Sequence, residues 1–223
     1  MSTLSELIDL VELDLRDTSN ANWSVAELTQ HVRRALRALN EVTPGRTAST
    51  LSVAAGSREV SLAGLSGLMR VIDVWYPYTA ADPEYPPQRP RWELIADEGG
   101  QNRILYLYVE DKPAEGEALR VFYTLGHTIE GLDGATATTL SERQEHVVVL
   151  GATALAVQQY AQDAIGEVSP SGWTPRQLQE WADRRLTLFR QALEDLRRSE
   201  IIMQDPRVPW EADRRSEGAG GVI

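Results

Sequence analysis

The chain has 223 residues, 42% hydrophobic and 25% charged, enough for one large domain or a domain with a subdomain. A net charge of −11 argues against wholesale neutralisation of nucleic-acid phosphates, which needs a basic face. The absence of cysteine excludes disulfides, thiolate metal sites and cysteine nucleophiles.

The start, MSTLSELIDLVELDL, lacks a basic n-region and does not read as a signal peptide, so a protein made and used without export is expected. Thr3 and Glu6 form a capping box, and Leu4, Leu7, Ile8, Val11 and Leu15 share one face of a helix over 4–16. A polar turn follows. Ser24 and Glu27 then cap a second helix from Val25 to about Val42, with Trp23 placed to staple onto Leu28 and Pro44-Gly45 as its stop.

From Thr47 the texture changes to short β segments. Strands are predicted over 47–54, 58–61, 69–75, 91–96, 104–109 and 119–124. The fifth, apolar on both faces, is expected at the centre of a sheet. Gly99-Gly100 predicts a hairpin between the fourth and fifth strands, and Pro113 to Gly116 another between the fifth and sixth. Between them in kind lies PYTAADPEYPPQRP, residues 77–90, a proline-broken excursion.

Ser141 with Gln144 opens a third helix reaching Ala164. Its uncharged run from Val147 to Val157 is apolar nearly all round, so it should be the buried central helix, with other helices and a β element laid against it. That run is too short to cross a bilayer, which takes about 20 apolar residues. Thr174, Pro175 and Gln177 start a fourth helix, with Trp173 placed to staple onto Leu178 and a stripe lasting to about Ser199.

The expected fold class is α+β: a four-helix core of two N-terminal and two C-terminal helices, an inserted antiparallel β subdomain and an extended C-terminal tail. The boundaries read as 1–45 for the N-terminal helices, 46–126 for the β insertion, 127–200 for the connecting loop and C-terminal helices, and 201–223 for the tail.

No motif carries chemistry. His31, His127 and His146 have no ligand-spaced neighbours, GxxxxGK[ST] and GxGxxG are absent, and GLSGL is a turn rather than a nucleophile elbow. Catalytic, cofactor-binding and metal residues are therefore assigned as none. Lys112 is the only lysine among 22 basic residues; arginine suits paired contacts between surfaces, although a GC-rich genome produces the same bias. The aromatic set Trp75, Tyr76, Tyr78, Tyr85 and Trp92 around the proline-rich loop has three readings. It binds sugar or peptide, it pins the loop to its own sheet, or it packs on a neighbouring copy.

Two segments, LRDTSNANWSVAELTQHVRRALRALNEVTP and LRVFYTLGHTIEGLDGATATTLSERQEHVVVLGATALAVQQYA, give the chain a resemblance to head–tail connector (adaptor) proteins of long-tailed bacteriophages. The shared pattern is a W[ST]xxEL-headed second helix, an RVFYT strand, a GATALA-type helix and a Trp-capped long helix with an arginine-bearing tail. The resemblance implies a non-catalytic subunit of a neck ring of about twelve copies beneath the portal protein. Its partners would be the portal, neighbouring copies and a stopper or tail-completion protein, with DNA passing through the lumen without specific binding and no membrane. It implies the virion neck as location, after assembly in the host cytoplasm. It also implies docking of the tail on the portal, for which Pro206, Arg207, Pro209, Trp210, Arg214 and Arg215 are the candidates. The alternative function is a carbohydrate- or peptide-binding module built on the aromatic loop. A hydrolase with paired carboxylates in a cleft is a third.

Overall fold

The computed structural model describes residues 2–81, 87–96, 103–163 and 174–204. Among the described residues, four helices and six strands follow in the order α1 (Leu4–Leu15), α2 (Val25–Val42), β1 (Gly45–Ser52), β2 (Glu59–Ser61), β3 (Leu68–Trp75), β4 (Arg91–Ala96), β5 (Arg103–Tyr108), β6 (Ala118–Leu125), α3 (Glu142–Asp163) and α4 (Pro175–Gln204). The class is α+β, as expected.

The capping boxes form as their spacing requires. Thr3 with Glu6, Ser24 with Glu27, Ser141 with Gln144 and Thr174 with Gln177 each exchange side-chain and backbone hydrogen bonds. Each satisfies N–H groups that a helix start leaves free. The bonds from Thr3 and Ser24 hold the carboxyls of Glu6 and Glu27 below their usual range, because they favour the charged form. Trp23, just before the Ser24 cap, packs on the helical core: its ring lies 5.1 Å from that of Tyr160 and its Nε1 donates to the Ala156 carbonyl, pinning the start of α2 to α3. The Trp173 staple falls outside the described residues.

α3 is the centre of the helical half. Val147, Val148, Gly151, Ala152, Ala154, Ala156, Val157 and Ala161 are buried around its circumference, and α1, α2 and α4 pack against it. One core joins all four helices, from Leu7 and Val11 through Leu28 and Leu39 to Phe189 and Leu196. The expected β element against α3 is a correction. The strands have a core of their own, including Val60, Val74, Leu105, Leu107, Leu119 and Val121.

That second core lies between two three-stranded antiparallel sheets, β1-β6-β3 and β2-β5-β4. β5 is central, but only one of its faces is buried: Leu105 and Leu107 are covered while Tyr108 is exposed. β4 and β5 pair antiparallel with Ala96 opposite Arg103, and the predicted Gly99-Gly100 turn lies outside the described residues. The hairpin predicted at 113–116 is overturned. β5 and β6 belong to different sheets, so this segment crosses between them. Pro and Gly mark a change of direction there without specifying which strand comes next. α4 runs past Ser199 to Gln204, since Glu, Met and Gln tolerate a helix well.

The two halves are joined where α2 leads into β1 and β6 leads out. Asn40 accepts from the His127 N–H at 2.7 Å and donates to its carbonyl at 3.3 Å. His127 Nε2 lies 3.0 Å from the Thr43 carbonyl and its Nδ1 3.3 Å from the Thr139 hydroxyl. Thr139 Oγ1 also accepts from the Thr128 N–H, and the Gln144 side-chain amide lies 3.1 Å from His127 Nε2.

Candidate assembly surfaces

The aromatic loop grows from the end of β3. Trp75 and Asp73 stand on the outer face of the β1-β6-β3 sheet, opposite Arg120 and Phe122 of β6. Trp75 packs on Phe122 with ring centroids 4.6 Å apart, and its Nε1 donates to Asp73 at 2.9 Å. Arg120 donates to the Tyr78 hydroxyl at 2.6 Å and lies over both the Tyr78 and Phe122 rings. Such stacking is worth about 0.5–1 kcal/mol at an exposed site.

Tyr76 turns inward and is buried, donating its hydroxyl to Glu117. Burial and this bond push the phenol well above its ordinary range, while the same bond and the Ala114 N–H hold the Glu117 carboxyl low. Backbone bonds from Tyr76 to Gln88 and from Tyr78 to Ala118 tie both ends of the excursion to the sheet. Trp92, on β4, packs against the sandwich core from the other sheet. The structure thus brings Trp75, Tyr76 and Tyr78 together around β6 and sets Trp92 apart. Tyr85 lies outside the described residues, as do Pro206, Arg207, Pro209, Trp210, Arg214 and Arg215.

What remains open on this face is a shallow hollow lined by Arg46, Thr47, Ile72, Asp73, Trp75 and Phe122. A neighbouring cleft runs to the helical half, between Arg46, Arg70 and Ile72 on one side and Glu41 and Arg197 on the other. Sequence reasoning missed this concentration of arginine. Its members are scattered over β1, β3 and β6, and only strand pairing brings them together.

Among the described residues no group of three or more His, Asp or Glu is placed to hold a metal ion, and no helix is long and apolar enough to cross a membrane. Carboxylates do share one groove, where Asp14, Glu142 and Glu145 line a surface between α1, α3 and α4. Both oxygens of Asp14 are held by Arg185 and both of Glu145 by Ser2. Asp14 and Glu145 thus tie α4 to α1 and the N-terminal segment to α3.

The model of the SU10 adaptor protein family matches residues 2–209. The chain belongs to the SU10 adaptor protein family. The match takes in both halves and the beginning of the tail, and it agrees with the adaptor resemblance of the two quoted segments. Comparison with functionally characterised sequences gives no match. Among solved structures, the chain is similar to one from the neck of an empty gene transfer agent particle computed with C6 symmetry, at 17% identity over 82% of this chain and 87% of that one, TM-score 0.29. A chain from the virion of the native particle gives 17% identity over 79% and 86%, TM-score 0.31. One from the native neck computed with C12 symmetry gives 14% over 83% and 92%, TM-score 0.29. Scores this low leave these likenesses without weight for fold or function.

Proposed function

We propose that this adaptor is a structural subunit of a phage neck, forming a ring that docks under the portal, extends the DNA channel and connects head to tail. The observation that carries the reading is the family match across residues 2–209, which embraces every described element. The chain works by shape and contact, not by catalysis. Two of its three groove carboxylates, Asp14 and Glu145, are engaged by Arg185 and Ser2, and its net charge of −11 suits a wall that lets DNA slide instead of gripping phosphates.

Its partners in this reading are neighbouring copies, the portal and a stopper or tail-completion protein, in the neck of the virion. The tail residues Pro206, Arg207, Pro209, Trp210, Arg214 and Arg215 dock on the portal, and the ring around Trp75 and Tyr78 meets a neighbouring copy. Particles assembled without this chain test the reading: filled heads should accumulate without tails. Tailed, infectious particles at ordinary numbers would refute it.

A further inference from the structure

Two exposed apolar patches of opposite charge stand on the described residues. The first is on the helical half. Leu10 and Leu13 of α1, 47% and 65% exposed, line a groove with Val149 and Leu150 of α3. Leu188 of α4, 52% exposed, follows one turn after Arg185, which lines the same groove. The rim is acidic: Glu142 and Glu145 border the groove with His146 beside them, and Glu6 is exposed on α1. The guanidinium bordering it, Arg185, is already held by Asp14.

The second patch is the outer face of the β1-β6-β3 sheet. Ile72, 41% exposed, borders the hollow lined by Trp75 and Phe122, and Met69, 40% exposed, lines the neighbouring cleft. Arg46, Arg70 and Arg120 stand on this face by strand register, and Arg89 is tethered to it through Asp73, the one carboxylate among its strand residues. In a chain with 33 acidic and 22 basic residues, that local excess of arginine runs against composition.

We infer that the acidic groove of one copy receives the basic sheet face of the next. This rests on the ring reading above and names the faces that would close the ring. Both patches have an apolar centre and a charged edge, the anatomy of a protein interface, and their charges are complementary. Two different patches on one chain make a head-to-tail contact, which closes into a ring when the rotation per copy permits. α4 shows that the patches look different ways. Leu188 belongs beside the groove and Arg197 lines the cleft at the edge of the sheet face. At about 100° per residue, the two flank the buried stripe of Phe189, Leu193 and Leu196 on opposite sides. Duplex DNA is the less suitable occupant of the sheet face, because exposed Met69 and Ile72 gain nothing from phosphates.

The chain has no cysteine, so Leu13→Cys and Ile72→Cys, both at exposed positions, report on the contact directly. With the portal present and under oxidation, the double variant should give a covalent ladder and a mixture of the two single variants should give dimers. Each single variant alone should give neither. Self-cross-linking of either single variant would overturn the inference in favour of a two-fold contact. Rings seen by electron microscopy without a ladder would overturn it while leaving the ring reading intact, and an absence of rings would overturn both. In parallel, Arg70→Glu should lower ring yield by about tenfold and Glu142→Arg in the same chain should restore it. An Arg70→Glu chain that forms rings normally but loses salt-dependent DNA binding would assign the face to DNA and sink the inference.

Discussion

Gly151 shows how closely a single residue fits this fold. A Cβ built on it would lie 2.6 Å from Cε2 of Phe189 and 2.7 Å from Cζ, so the α4 ring occupies the space that glycine leaves on α3. Gly151→Ala should cost about 1–3 kcal/mol, the usual range for overpacking. Phe189→Leu, which removes the ring edge, should recover part of that loss in a double-mutant cycle by chemical denaturation. His31 is the second residue-scale case. It is 2% exposed and its Nδ1 has no hydrogen-bond partner. Burial, aided by the Arg34 charge, lowers its pKa below 6.5, while Glu27 opposes this weakly. The unfolded chain therefore takes up the proton first, and stability should fall as pH drops below 6.5. In His31→Leu, urea midpoints between pH 7 and about pH 5 should show a smaller decline than in the parent chain. An equal decline would assign the acid sensitivity to other groups.

At the scale of elements, the most consequential bonds lie at the crossing between the halves. Asn40 holds both backbone groups of His127 and packs 3.1 Å from where a Gly126 Cβ would sit. Asn40→Ala should destabilise the chain by about 1–3 kcal/mol, the cost of leaving such groups without partners. It should also speed hydrogen exchange at the His127 amide more than at amides within α3. Nothing local in the sequence announces this pair, because its members are far apart along the chain and its chemistry is ordinary. Helix starts were legible for the opposite reason: a capping box is complete within four residues, and all four formed. Strand positions were legible to within two residues from alternation and turns. Which strand pairs with which was not, as the 113–116 crossing shows, because pairing depends on how two sheets share one core. The aromatic cluster was visible as composition, yet its geometry around Arg120 and Glu117 needed the strand register.

Among the described residues, the molecule has two main cores joined by a pair of chain crossings. The chief side-chain networks described above stitch its own elements together. Exposed ion pairs such as Arg176–Glu180 and Arg198–Glu194 contribute only about 0–1 kcal/mol each, so the proposed contact between copies would draw on apolar area such as Leu10, Leu13, Ile72 and Trp75. The central claim is assembly around a channel. Electron microscopy of the full chain mixed with its portal protein tests that most directly. The account predicts a closed ring of this chain, coaxial with the portal and enclosing an open lumen; a chain that stays a lone monomer beside an undecorated portal would contradict it.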